Sequence, residues 1–180
     1  MLNPHGVTTQ MKTIFAMSAS VLVLAACATA STSGPSVTTT LRPASGSQVQ
    51  GRLTFTQLAA DRVRVTGDIS GHQPGAKGFH IHEKGDCSAP DATSAGGHFN
   101  PAKMQHGATP KTGHAGDMGN ITIDASGRAR VDMVLDGLSV SRDAPNGIIG
   151  RAVVVHMQTD DLKTDPTGNA GGRAACGVIG

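Results

Sequence analysis

The chain of 180 residues has no Trp and no Tyr, and its four Phe are Phe15, Phe55, Phe79 and Phe99. Binding of nucleic-acid bases by stacking needs aromatic platforms, and these are missing. A charge field is missing too. Fifteen Lys and Arg against thirteen Asp and Glu leave a net +2, dispersed along the chain, whereas a polyanion binder gathers its cations into a patch or stripe. No nucleic-acid partner is expected. The chain is also too short for a TIM barrel of roughly 250 residues, and it shows no heptad, no helical period of useful length and no internal repeat. Its core must be assembled from Val, Ile, Leu and Ala. Glycine, by contrast, is abundant, at 24 residues against a usual ~7 %, which implies many turns. Two counts stand out: eight His and an odd three Cys.

The N-terminal segment reads as a targeting signal. Lys12 precedes an uncharged stretch from Thr13 to Ala26 that ends in small residues. This is the layout of a bacterial secretory signal peptide, and it is shorter than the ~20 residues of a transmembrane span. Met11 is the better start, because residues 1–10 place Pro4 and His5 ahead of the charged region. Leu24-Ala25-Ala26-Cys27 resembles the lipobox of bacterial lipoproteins, in which Cys27 is lipidated and becomes the first mature residue. Cleavage after Ala28-Thr29-Ala30 is the alternative and gives a soluble periplasmic protein. Residues 1–26 are therefore expected to be a signal peptide, 27–35 a flexible tether and 36–180 a single periplasmic domain. Its contact with the membrane, the outer membrane in preference, would be only through the lipid on Cys27.

From Val37 onward the dominant period is two. Val49, Gly51, Leu53 and Phe55 alternate with Gln50, Arg52 and Thr54; Val63 and Val65 with Arg62, Arg64 and Thr66; Ala129, Val131 and Met133 with Arg128, Arg130 and Asp132. Each pattern places apolar residues on one sheet face and charges on the other. Short strands separated by turns such as Asp124-Ala125-Ser126-Gly127 indicate an all-β sandwich or barrel. Two stretches break the rhythm: Lys84 to Gly116, and the polar, Gly-rich Gln158 to Gly172. Structureless loops of this length are uncommon unless functional or held by ligands.

Histidines mark those interruptions. In the strand-like Gly78-Phe79-His80-Ile81-His82, residues i and i+2 share a face, so His80 and His82 can address one ion while Phe79 and Ile81 face the core. His98, His106 and His114 follow in the first loop, with Asp117 just beyond. His156 ends the most apolar strand, Ala152-Val153-Val154-Val155-His156. Imidazole is the common ligand of zinc and copper, and a carboxylate can complete a tetrahedral zinc site.

Gly78–His82, Gly96–Pro101, His114–Asn120 and Gly168–Gly180 together resemble copper–zinc superoxide dismutase of the bacterial periplasmic type, and the resemblance runs from about Val37 to the end. It implies an eight-stranded Greek-key β-sandwich or barrel, immunoglobulin-like, with two long functional loops. It also implies copper on His80, His82, His98 and His156, and zinc on His98, His106, His114 and Asp117, with His98 shared. Asp160 would accept hydrogen bonds from one histidine of each set. Arg173 would stand beside the copper and attract superoxide, acting with His98 in its conversion to oxygen and hydrogen peroxide. Cys87 and Cys176 match the family's intrachain disulfide, which an exported protein can keep. Cys27 then remains as the lipidation site.

Some residues fall outside the pattern. The acidic cluster that guides substrate in eukaryotic members is not recognisable near Lys163, Asp165 and Pro166. Met157 has no role beyond packing, Asp161 reads as a solvated loop charge, and His72 in Gly71-His72-Gln73-Pro74 as an exposed turn residue. A catalytically silent periplasmic copper/zinc-binding protein on the same fold is the competing functional reading. Monomer and homodimer are both open.

Overall fold

The computed structural model describes residues 34–180, together with the isolated Leu2 and Gly6. The signal-peptide reading, with Met11, Lys12 and Cys27, and most of the tether lie outside the described residues. Among the described residues there are eight strands: β1 (Ser36–Pro43), β2 (Gln50–Ala59), β3 (Arg62–Ser70), β4 (Gly75–His82), β5 (Asp117–Ile123), β6 (Arg128–Asp136), β7 (Ala152–His156) and β8 (Arg173–Val178). No helix among the described residues is long and apolar enough to cross a membrane.

The strands lie side by side in the order β5-β4-β7-β8-β1-β2-β3-β6, and every neighbouring pair is antiparallel. The outermost two, β5 and β6, are consecutive in sequence and joined by a tight turn. There the Asp124 N–H donates to the Arg128 carbonyl at 2.7 Å and the Gly127 N–H to the Asp124 carbonyl at 3.0 Å. A flat sheet could not bring its two edges to one turn, so the sheet curls into a nearly closed barrel. The β3–β4 and β6–β7 connections cross between distant parts of the sheet, as a Greek key requires.

The period-two strands face as their sequence dictates. Leu53, Phe55, Val63, Val65, Ile69 and Val131 are buried in one continuous core. Arg52, Arg62, Arg64, Arg128, Arg130 and Asp132 stand on the outer face. Arg62 pairs with Asp136 and Arg64 with Asp132, both at 2.7 Å and both in solvent, where such pairs contribute little.

β7 differs, because all five of its residues are buried. Val153 and Val155 enter the main core. Ala152 and Val154 point the other way and pack under the first loop against Ala92, Ala95 and Cys176. Burial on both faces is the reason this strand reads as a continuous apolar run. The loop itself is tied to β8 by the Cys87–Cys176 disulfide, with Cα atoms 5.8 Å apart.

Both interruptions of the strand pattern are loops. One spans residues 83–116 with only a short 3-10 turn at Thr93–Ala95, and the other spans 157–172. A third long connection, 137–151, was not anticipated, and its Leu138, Val140 and Ile148 are buried against the main core. One further expectation is corrected and another is extended. His72 is buried at 7 % exposure, because its turn folds over the end of β7 and places Nε2 3.0 Å from the His156 carbonyl. Asp161 organises its own loop. It accepts the N–H groups of Lys163 and Thr164 at 3.1 and 2.8 Å, the Thr164 hydroxyl at 2.6 Å and the Asn169 amide at 2.9 Å. These bonds, led by that of Thr164, hold its carboxyl well below the usual carboxylate range.

Candidate metal centre

Three elements meet where β4 ends. The Ile81 N–H donates to the Gly116 carbonyl at 2.8 Å, the Gly116 N–H to the Phe99 carbonyl at 2.8 Å, and the Phe99 N–H to the Ile81 carbonyl at 2.9 Å. This closed ring of backbone bonds seats His80 and His82, either side of Ile81, against His98 and Asp117. Only glycine fits at 116, since a Cβ there would stand 2.1 Å from the Ile81 carbonyl oxygen and 2.9 Å from the Phe99 nitrogen. β7, paired with β4 in register Phe79↔Val155, delivers His156 from the other side.

The first group comprises His80, His82, His98 and His156, all buried, with donor atoms within 4.8 Å of one another. Its tautomers follow from the partners of the outward nitrogens. His82 Nδ1 donates to the Gly96 carbonyl at 2.9 Å and His156 Nδ1 to the Gly171 carbonyl at 3.2 Å. A carbonyl can only accept, so both Nδ1 atoms carry the proton and both Nε2 atoms carry a lone pair. Yet those two Nε2 atoms face each other at 3.3 Å. His80 Nε2 donates to Asp160 Oδ2 at 2.7 Å, which leaves His80 Nδ1 buried without a partner, as is His98 Nε2. Converging lone pairs of this kind are a donor set that a single metal cation can satisfy at once. Three of these rings, His82, His98 and His156, are also held toward the neutral form. Burial, then the neighbouring His98, pushes His82 well below the ordinary histidine value. Burial, then His80, lowers His156 to about 3, and burial lowers His98 to about 4 against the opposing bond to Asp117.

The second group is His98, His106, His114 and Asp117. Asp117 Oδ1 lies 2.9 Å from His98 Nδ1, 3.1 Å from His106 Nδ1 and 3.4 Å from His114 Nδ1, and His114 Nδ1 lies 3.4 Å from His98 Nδ1. Ligands placed 2.0–2.1 Å from a tetrahedral zinc ion are separated by about 3.3 Å, and these four separations are close to that value. Asp117 Oδ2 is occupied by the N–H groups of Gly107 and His114 at 2.9 and 2.8 Å, which aims Oδ1 inward. Burial alone would raise the Asp117 pKa, but the bonds from His98 and Gly107 outweigh it and the carboxyl is held low.

Asp160 connects the two groups. Besides His80 it accepts from His106 Nε2, at 2.9 Å on Oδ1. Burial would raise its pKa; the His80 and His106 bonds prevail and keep it a carboxylate. Asn120 brackets its backbone, accepting the Asp160 N–H and donating to the Asp160 carbonyl, both at 2.9 Å. Asp165 Oδ1 accepts the His106 N–H at 2.5 Å. Sequence reasoning assigned no role to Asn120 or Asp165. The alternation of β5 aims Asn120 at the loop, but nothing in its immediate neighbours marks the partner. Arg173 is the register partner of His156 across β7 and β8. Its two Nη atoms donate to the carbonyls of Ala92 and Gly96, both at 2.5 Å, which stretches the guanidinium across the loop, half-buried. After burial and the histidines, its charge is among the causes that hold His82 and His156 down.

All the candidate ligands, with Asp160 and Arg173, thus converge on one end of the barrel, while Cys27 lies outside the described residues. The structure is similar to the crystal structure of the clock protein EA4, with 45 % sequence identity, a TM-score of 0.71, and coverage of 81 % of this chain and 93 % of that one. The family described as copper/zinc superoxide dismutase (SODC) matches residues 49–179. With that match across most of the chain, and with histidine groups suited to copper and to zinc, the protein belongs to the copper/zinc superoxide dismutase family.

Proposed function

We propose that the protein is an active superoxide dismutase, with copper held by His80, His82, His98 and His156 and zinc by His98, His106, His114 and Asp117. The observation that carries this reading is the pair of facing Nε2 lone pairs on His82 and His156, with Arg173 the register partner of His156 on the neighbouring strand. Copper when bound supplies one-electron redox chemistry, by which two superoxide anions and two protons become oxygen and hydrogen peroxide. The residues of this chain do the rest. Arg173 attracts and orients the anion; at 4 Å and an effective dielectric near 20 a unit charge contributes about 4 kcal/mol before desolvation. Its planar donors match a small diatomic anion better than an ammonium would. His98, the one residue common to both groups, can take up a proton at Nε2 and return it while Nδ1 keeps the ring anchored in the zinc group. The closed tetrahedral group offers no open position for substrate, which suits a structural ion.

The competing reading is a catalytically silent copper/zinc-binding protein, and the 45 % identity to a protein described as a clock protein is the observation in its favour. Superoxide consumption by the copper- and zinc-loaded protein separates the two. Turnover that disappears in His80→Ala supports the enzyme, and full metal occupancy without turnover overturns it. We place the protein in the periplasm, anchored through Cys27, on the basis of its N-terminal sequence. Mass spectrometry of the membrane fraction should find a diacylglyceryl-modified Cys27, and an unmodified start at Ser31 would favour the soluble form.

A further inference from the structure

The five residues from His156 to Asp160 carry a disproportionate load. His156 opens the segment as a member of the first group, and Asp160 closes it as the common acceptor for His80 and His106. No regular sheet covers this stretch, because β7 ends at His156. The N–H groups of Met157 and Gln158 donate to the Gly172 and Ala170 carbonyls at 2.8 and 2.9 Å, and the opposite side of the stretch is tied to the segment running from the β3–β4 turn into β4. His72 Nε2 donates to the His156 carbonyl at 3.0 Å. Lys77 Nζ donates to the Met157 carbonyl at 3.1 Å. The Gly78 N–H donates to the Gln158 carbonyl at 2.9 Å, and the Thr159 hydroxyl donates back to the Ala76 carbonyl at 2.9 Å. Four consecutive residues are thus fastened to one short segment, which contributes two of the fastenings through its own side chains, His72 and Lys77.

His72 is an uneconomical choice if it serves only to fill space. Its Nε2 is committed as a donor, so Nδ1 is left as a buried acceptor with no partner. An aliphatic side chain would avoid that orphan but could not hold the His156 carbonyl. Lys77 likewise directs its charge to a backbone carbonyl, and no carboxylate among the described residues forms an ion pair with it.

We infer that His72 and Lys77 are positioning residues for the first histidine group, fixing the backbone of His156 and Met157 and through it the direction of the His156 lone pair. The effect is selective. The Asp160 end is held independently by the two Asn120 bonds, so loosening the clamp disturbs the first group and leaves the second largely in place. This inference rests on the copper reading of the first group.

The test loads the full-length protein with copper(II) and zinc and compares wild type with His72→Leu, His72→Gln and Lys77→Met. Removal of partners that orient a metal ligand typically lowers affinity by about 10- to 100-fold. His72→Leu is expected to weaken copper binding by about tenfold or more and to change the copper electron-paramagnetic-resonance parameters. Zinc affinity should stay within about threefold of wild type. His72→Gln, which restores a donor of similar reach, should recover the wild-type spectrum, and Lys77→Met should shift it in the same direction as His72→Leu but less. An unchanged copper spectrum and affinity in both His72→Leu and Lys77→Met overturns the inference, as does an equal loss of zinc, which would signal general loosening. If His72→Leu does not fold, the Lys77→Met spectrum decides. A wild-type protein showing no copper bound through histidine nitrogens overturns the copper reading itself, and this inference with it.

Discussion

The two halves of the barrel are made from the same element and obey different rules. In β2, β3 and β6, buried apolar residues alternate with outward residues that are mostly polar or charged, the inner face fills the core, and the outer face carries solvated pairs such as Arg64 with Asp132. In β4 and β7 the alternation is between two kinds of buried residue: Phe79 and Ile81 on one face of β4, His80 and His82 on the other, all within 1 % of full burial. The polar face there is covered by loops in place of water. Where a strand faces solvent, each side chain answers to its own neighbours. Where loops cover it, each polar atom needs a specific partner, and the partners form a connected network. Stability in the first half is therefore spread over many small terms, whereas function in the second depends on a few residues.

Perturbing each half in turn tests that contrast. The largest effect is expected from His80→Ala, which removes a donor and frees one oxygen of Asp160; copper affinity and superoxide turnover should fall by more than about 100-fold, beyond what an orienting partner alone costs, with zinc retained, as read by metal titration and a superoxide assay. Next is the disulfide. Cys87→Ser opens a closure with a sequence separation of 89, for which chain entropy gives at most about 4–5 kcal/mol; denaturant unfolding measures it. Gly116→Ala should cost about 1–3 kcal/mol through overpacking at the backbone ring and lower copper and zinc affinity together.

A gentler perturbation is acid on the metal-free protein. His98 and His156 titrate at about 4 and about 3 in the folded state and near 6.5 when unfolded. As pH falls below about 6.5 the unfolded chain takes up protons first, so stability is lost progressively down to about pH 3 to 4. Thermal midpoints of the metal-free protein between pH 7.5 and 4.5 should decline accordingly, and a flat profile would contradict the burial assigned to these rings. The smallest effect is expected from Arg64→Ala on the charged outer face, which should leave the thermal midpoint unchanged within error. A large shift there would dissolve the contrast between the halves.

The same contrast explains what could be read in advance. Period-two strands are legible because burial repeats locally, so Leu53, Phe55, Val63 and Val65 declare their face from sequence alone. The pairing of His80 with His82 is legible for the same reason. Membership of His98, His106, His114, Asp117 and His156 in two groups came from family resemblance, since spacing along a loop carries no geometry. His72 was misjudged because Gly71-His72-Gln73-Pro74 has the composition of a turn, and a turn is exposed unless another part of the chain folds against it. Asn120, Asp165 and the buried side chains of 137–151 escaped for a related reason. Their partners lie tens of residues away and become neighbours only when the barrel closes.

The ring of bonds joining Ile81, Phe99 and Gly116 has a consequence for how the centre can move. Because each member both gives and receives, no one of the three segments can slip without breaking two of the three bonds. The donors they carry therefore behave as one mechanical unit with few independent displacements. A copper ion changing charge within such a frame, as the proposed function requires, would find its surroundings unable to follow far, so little of the energy of the change would go into rearranging the protein. On the proposed copper reading, stiffness in the backbone would become, at the bound ion, a low barrier to passing a single electron.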